Sequence, residues 1–348
     1  MIDQLLSNIE KEFNLNVSKY EKISRGSADL YKIYCGNEIN IVKVYQPKYK
    51  IDDIKREYYI FQHLKQKGFN IPIYKMNKDN EVYGFVDNRI YIIQKFIDGN
   101  LLSDNQGNNK LLRDTSINYA NIVLALSDLN IELPEYNKKF YNDYEIDKAI
   151  NNIQILKDKC VEEYIRRQLK DKEDFLKFIK TINKNELMNI TYKNSHGDYT
   201  HFQFIYDESY NIKVTLDFIT AKKMPLIYEL VRSFIYLDPS YKNGEFDIKG
   251  LIRYIAEFNH IINLNEYDLL HLVDVYFIEI TKSIFGYKQY IENKRYDYLN
   301  LGINMYKQAK FIYENYNYIK NMVKEIVIYE KFSKTFKKNI WFCREKKN

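Results

Sequence analysis

The sequence predicts an α+β chain in two lobes, a small antiparallel β lobe before a larger α-rich one, on three observations. Its 348 residues exceed the size at which a single core keeps growing, so the chain divides. Period-two and short apolar runs, punctuated by turn residues, crowd into residues 20–97. Beyond Leu101 the apolar residues recur mostly at helical spacing. Asp98-Gly99-Asn100 breaks the pattern and sets the expected boundary, with one lobe over 1–98 and the other over 99–348.

The elements follow in order. Ile2, Leu5, Leu6, Ile9 and Phe13 mark a short amphipathic helix. From Tyr20 to Tyr45, turn signals at Arg25-Gly26-Ser27 and at Cys35-Gly36-Asn37-Glu38 separate three antiparallel strands. Ile51 to Lys67 returns to helical period, with Ile51, Ile54, Tyr58, Phe61 and Leu64 on one face. Glu57 falls inside that apolar stripe, where a carboxylate needs a cation or a polar cleft. The preceding strand, INIVKVY, carries Lys43 among residues that are otherwise buried. A Lys43–Glu57 pair is the economical solution; the alternative is a snorkelling lysine and a rim glutamate. EVYGFV and RIYIIQKFI, split by Asp87-Asn88, complete the strands of the first lobe.

In the larger lobe, TSINYANIVLALSDLN and the run from Glu145 to Ile182 read as helical, with Pro134 between them. Tyr236 to Phe246 is a loop, and Ile248, Leu251, Ile252 and Ile255 share a helix face. Tyr267 to Ile291 reads as one buried helix, and Leu299 to Phe332 as one or two more.

Composition narrows the function classes. With 45% hydrophobic and 29% charged residues the chain is of the soluble globular kind, and a net charge of +6 spread over its length does not imply bulk nucleic-acid binding. The basic tail from Lys331 to Lys347 is either a solvated end or a contact for an anionic surface. Cys35, Cys160 and Cys343 are far apart, so reduced thiols are expected rather than disulfides or zinc. Without a signal h-region or a long apolar run, a cytoplasmic location and no membrane partner are expected.

The chemistry concentrates in Asn194 to Glu229. QFIY, DESYN and IKVTLDF form two short strands around a polar turn. With Tyr206 opposite Ile212, Gln203 lies near Thr215 and Asp217 one diagonal step beyond, close enough for an amide oxygen and a carboxylate to share a hard cation. Asp198, on the preceding loop, is placed to accept the proton of an attacking hydroxyl. A base, metal ligands and a phosphate-gripping lysine suffice for phosphoryl transfer, which the protein assists mainly by positioning and neutralising charge.

HGD followed four residues later by Gln203, and then by LDF, resembles the catalytic and metal-binding loops of the aminoglycoside phosphotransferase and choline kinase group. These are small-molecule kinases with the two-lobed protein-kinase-like fold, and Ala221, Pro225 and Glu229 stand at matching places. The resemblance extends upstream to a Gly-bearing loop at Ser24 to Ser27, to Lys43, to Glu57 and to a connecting segment at Gln94 to Gly99. It implies Asp198 as the base, Gln203 and Asp217 as ligands for Mg2+, and Lys43 as a phosphate contact held by Glu57. It further implies nucleotide contacts at Gly26, Ser27, Gln94 and Phe96, and a structural role for His196.

The implied activity moves the terminal phosphate of ATP or GTP to a small-molecule hydroxyl, such as that of an aminoglycoside-type antibiotic, an amino alcohol or a sugar. The implied acceptor site draws on helices after Tyr228 and on residues 101–150.

Departures from the pattern are Gln203 where Asn is usual, Thr200 in the place of a common second His, and a single Gly in the first loop. They motivate the alternative of a kinase-like binding or structural protein of the spore-coat type. The absence of a Gly after Phe218 and of an Ala-Pro-Glu segment argues against a protein kinase. His201 is read as either a loop-packing residue or a substrate contact, and His63, His260 and His271 as surface or packing residues. Asp274 is expected on a solvated polar face, with a cationic substrate as the other reading.

Overall fold

Leu5, Ile9 and Phe13 recur every fourth residue, so they form one buried stripe along helix α1 (Ile2–Phe13). The stripe covers an antiparallel sheet made of β1 (Lys19–Ile23), β2 (Asp29–Cys35), β3 (Glu38–Val44), β4 (Tyr83–Val86) and β5 (Arg89–Lys95), in the order β1-β2-β3-β5-β4. Helix α2 (Ile51–Gln66) lies between β3 and β4 in the chain. Alternation sends Ile33, Val42, Val44, Tyr91 and Ile93 to the α1 side, where they close one hydrophobic core. The same alternation leaves Lys43, paired with Leu30 and Ile92, on the opposite side. Asp87 and Asn88 both take positive φ, at 46° and 60°, and close the β4–β5 hairpin as a mirror-image two-residue turn.

The computed structural model describes residues 2–24 and 28–324, so Gly26, Ser27, the basic tail and Cys343 lie outside the described residues. Contacts gather Met1–Ser103, Asn121–Leu133 and Asn194–Ala221 into one compact unit. Asp104–Ala120, Pro134–Lys193 and the described residues from Lys222 onward form a second. The first unit thus takes in two segments from later in the chain. Hydrogen bonds tie these segments together: Asn100 and Tyr206 exchange N–H to carbonyl bonds of 2.8 and 2.9 Å, and the Lys213 side-chain Nζ donates to Asp98 O at 2.8 Å.

After β5 come α3 (Asn109–Ala125), α4 (Asp143–Lys159), α5 (Glu163–Ile179), α6 (Lys184–Leu187) and β6 (Tyr192–Ser195). A hairpin of β7 (Phe204–Tyr206) and β8 (Ile212–Thr215) follows, and then β9 (Lys222–Pro225). The remaining helices are α7 (Leu226–Leu237), α8 (Ile248–Asn259), α9 (Glu266–Leu270), α10 (Asp274–Lys282), α11 (Phe285–Asn293) and α12 (Leu299–Glu314). None of the described helices is long and apolar enough to cross a membrane, and Cys35 and Cys160 carry no disulfide.

Two long helical readings are broken. The run from Glu145 to Ile182 divides at Cys160, whose backbone is extended (ψ 130°). Tyr267 to Ile291 is three helices rather than one. The Asn265 side chain caps α9, and the Lys172 ammonium, itself wholly buried, takes the carbonyls of Ile280 and Ser283 at 2.7 and 2.8 Å where α10 ends.

Asp274 is not on a solvated face. It is completely buried at the start of α10, with Oδ2 at 2.6 Å from His271 Nδ1 and 2.8 Å from Lys320 Nζ. His271, buried beside it, also reaches Glu186 at 2.9 Å. Burial opposes the Asp274 charge, but the His271 hydrogen bond and the Lys320 ammonium hold the carboxyl below its ordinary value.

Candidate functional site

β3 carries Lys43 to the sheet side away from α1, and the Lys43 Nζ lies 2.6 Å from Asp217 Oδ1 and 4.0 Å from Glu57 Oε1. Glu57 projects from the buried stripe of α2 and is 1% exposed, so its charge has to be met by protein groups. Burial is the largest influence on its carboxyl and raises it above the ordinary value, outweighing Lys43 and the Tyr45 hydroxyl, which pull it down. Burial alone would lower the Lys43 ammonium; the carboxylates of Glu57 and Asp217 more than offset this and raise it. Lys43 is thus a fixed cation between two anions.

The loop from Ser195 to Gln203 brings in the next groups. Gly197 sits at φ 84°, and a Cβ there would run into the Thr220 carbonyl, so this turn requires glycine. His196 Nε2 donates to Leu216 O at 2.8 Å while Nδ1 accepts from the Asp198 N–H at 3.3 Å, which fixes the tautomer and ties the loop to the end of β8. Its ring packs on Phe218 at 4.3 Å, and Phe218 packs edge-on against Phe61 of α2 at 5.3 Å. Glu57 and Asp217 are thereby referred to one rigid stack.

The chain then makes a 3-10 turn at His201–Gln203, and Gln203 Nε2 donates to Asp198 Oδ2 at 2.9 Å. His201 is wholly buried with its ring against Phe202, which is the loop-packing reading.

The β7–β8 hairpin differs by one residue from the expected register. Tyr206 does face Ile212, but an irregularity between Ile205 and Tyr206 puts Phe204 opposite Thr215. Gln203 therefore meets Leu216, whose N–H donates to Gln203 O at 2.7 Å, instead of Thr215. The shift moves Gln203 alongside the residue adjoining Asp217. Asp217 itself is left-handed, at φ 63° and ψ 59°, a conformation that costs energy for a residue with a Cβ and recurs at functional sites.

Lys43, Glu57, Asp198, Gln203 and Asp217 are accordingly gathered in one compact unit. Gln94 pairs with Ile41, which puts it on the Lys43 side of the sheet, while the Phe96 N–H is taken by Ile39 O and the Phe96 ring lies under Lys32 at 4.2 Å. Periodicity alone did not single out Tyr45, whose hydroxyl donates to Glu57 Oε2 at 2.5 Å. The available signal was its place two residues after Lys43, on the same side of the strand.

For a hard cation the donor chemistry fits: a carboxylate at Asp217, one-third exposed, and the Gln203 amide oxygen, left as an acceptor while its nitrogen engages Asp198. Among the described residues no cluster of three or more His, Cys, Asp or Glu side chains could hold a metal unaided. Mg2+ takes one or two protein groups and completes its shell with phosphates and water.

No protein-family model and no curated protein matches the sequence. Solved structures do. The amicoumacin kinase hAmiN, in complex with AMP-PNP, Ca2+ and Ami, superposes with a TM-score of 0.62 at 11% identity over 88% of this chain and 92% of its own. An aminoglycoside phosphotransferase from Alicyclobacillus acidocaldarius gives 0.62 at 12% identity, over 93% and 97%. A microcompartment-associated aminopropanol kinase gives 0.61 at 11%, over 92% and 99%. At such identities the likeness is one of fold, and the chain has the α+β kinase-like fold of these aminoglycoside and small-molecule phosphotransferases.

Proposed function

We propose that the chain is a cytoplasmic phosphotransferase that moves the terminal phosphate of ATP or GTP, with Mg2+, to a hydroxyl of a small molecule. The observation that supports this most strongly is the run of contacts from Glu57 through Lys43 to Asp217, beside the Asp198–Gln203 pair, within one compact unit. A phosphate-gripping cation, a metal-binding carboxylate and a proton acceptor are what this reaction asks of a protein.

In this reading Asp198, oriented by Gln203, accepts the proton of the acceptor hydroxyl as that oxygen bonds to the terminal phosphorus. The bond from that phosphorus to the bridging oxygen breaks, and the nucleoside diphosphate leaves. Lys43 turns from Asp217 to a nucleotide phosphate while Glu57 stays beside it as a counter-charge. Mg2+ at Asp217 and Gln203 would neutralise charge on the phosphates.

The experiment is a nucleotide-consumption screen with ATP and GTP over aminoglycosides, amino alcohols including choline and homoserine, and sugars. Acceptor-dependent, Mg2+-dependent consumption is expected. Failure of every acceptor, together with no nucleotide-induced thermal shift, overturns the proposal.

One observation favours a second reading, a kinase-like binding protein without turnover. The Gln203 amide nitrogen is committed to Asp198, and Lys43 is committed to Asp217. If these contacts persist in solution with nucleotide present, the same thermal-shift measurement shows no response.

A further inference from the structure

We propose that Tyr45 is a positioning residue that holds both members of the Lys43–Glu57 pair, an inference that rests on the phosphotransferase reading. Lys43 and Glu57 stand 4.0 Å apart, at the outer limit of an ion pair, so their attraction by itself sets the geometry of the pair only loosely. Tyr45 supplies one contact to each of them. Its hydroxyl donates to Glu57 Oε2 at 2.5 Å, and its ring lies 4.6 Å from the Lys43 Nζ, within the range of a cation on an aromatic face.

The tyrosine is itself fixed. It is 1% exposed, its N–H donates to Ile90 O at 2.9 Å, and its carbonyl accepts from Arg89 Nε at 2.9 Å. Tyr49 packs edge-on against the ring at 5.8 Å. The hydroxyl bond is to a charged group in a buried site, the class of hydrogen bond that contributes most.

The consequence concerns what happens when Lys43 leaves Asp217 for a phosphate. A glutamate held only by the lysine would be released with it, whereas a glutamate held by Tyr45 stays in register on α2. The lysine stem then moves over a fixed ring toward a fixed carboxylate. Tyr45 thereby keeps the cation within reach of nucleotide whether or not Asp217 is engaged.

The test is a double-mutant cycle on nucleotide affinity, using Tyr45→Phe, Glu57→Gln and the double variant. Binding of ATP and GTP with Mg2+ is measured by calorimetry, below the melting temperature of each protein. Tyr45→Phe keeps the ring and removes only the hydroxyl, and it is expected to weaken nucleotide binding about tenfold, as loss of a hydrogen bond to a charged group does. In the Glu57→Gln background the same change is expected to cost less than about twofold, because the two residues act through one bond. Tyr45→Leu, which removes the ring face as well, is expected to bind more weakly than Tyr45→Phe.

A purely structural tyrosine would lower the melting temperature and leave the affinity of the folded protein unchanged. Unchanged affinity in Tyr45→Phe, or an equal loss in both backgrounds, overturns the proposal while leaving the phosphotransferase reading intact. A wild-type protein that binds neither nucleotide overturns that reading and this role with it.

Discussion

Replacing Lys43 by Met tests the electrostatics of the site without assuming a substrate. Met keeps most of the stem and removes the charge that lies 2.6 Å from Asp217 and 4.0 Å from Glu57. Removing one partner of a buried ion pair costs about 3–5 kcal/mol, because the other charge stays buried without compensation. The cost here is smaller. Asp217 is 34% exposed and is screened by water, and Glu57 keeps the Tyr45 hydroxyl and can take up a proton. A loss of about 2–3 kcal/mol at pH 8 follows, which lowers the melting of a unit of this size by about 4–12 °C.

The pH dependence fixes the mechanism. The Glu57 carboxyl already lies above its ordinary 4.5 in the folded protein, so the folded state binds that proton more tightly than the unfolded state does. The stability it contributes is fully present below 4.5 and is lost as pH rises through the folded value. Deleting Lys43 removes the cation that opposes this shift and enlarges the loss. Thermal unfolding of wild type and Lys43→Met in matched buffers at pH 5 and pH 8, followed by circular dichroism, reads the difference directly. The gap between the two proteins should be wide at pH 8 and should narrow toward pH 5. An equal gap at both pH values, or one below about 1 °C at pH 8, refutes the assignment of Lys43 as the counter-ion of Glu57.

Two further outcomes follow from other parts of the chain. Gly197→Ala places a Cβ against the Thr220 carbonyl at a positive φ; it should destabilise the fold by about 1–3 kcal/mol and lower acceptor-dependent turnover, measured by melting and by nucleotide consumption. Lys172, buried on the carbonyls of Ile280 and Ser283, has its ammonium pushed down to about 7 by burial, so the unfolded chain binds that proton more tightly. Stability should therefore rise with pH between about 7 and the ordinary 10.5, and Lys172→Met should flatten that rise in thermal unfolding at pH 7, 8 and 9.

The placement of Lys43 and Glu57 was legible because strand and helix periods bear directly on which face a residue occupies, and a charge on an apolar face demands a partner. The hairpin carrying Gln203 and Asp217 was legible as a hairpin but not in its register, since the irregularity at Ile205 and Tyr206 is a local choice that alternation does not reveal.

Features set by residues distant in sequence were hidden. Asp274 looked like a surface carboxylate because Lys320, which meets it, is 46 positions away. Lys172 ends α10 from 108 positions away, across a stretch that reads as one helix. Tyr45 was hidden for another reason. A tyrosine at the end of an apolar strand reads as core, and only the geometry shows its hydroxyl on Glu57.

The central claim is that this chain transfers phosphate with Asp198 as the proton acceptor, and substitution of that residue tests it most directly. Asp198→Ala is assayed beside wild type for nucleotide binding by calorimetry and for transfer to whichever acceptor the screen identifies. The account predicts that nucleotide affinity survives and that transfer is abolished. Undiminished turnover in Asp198→Ala would contradict it.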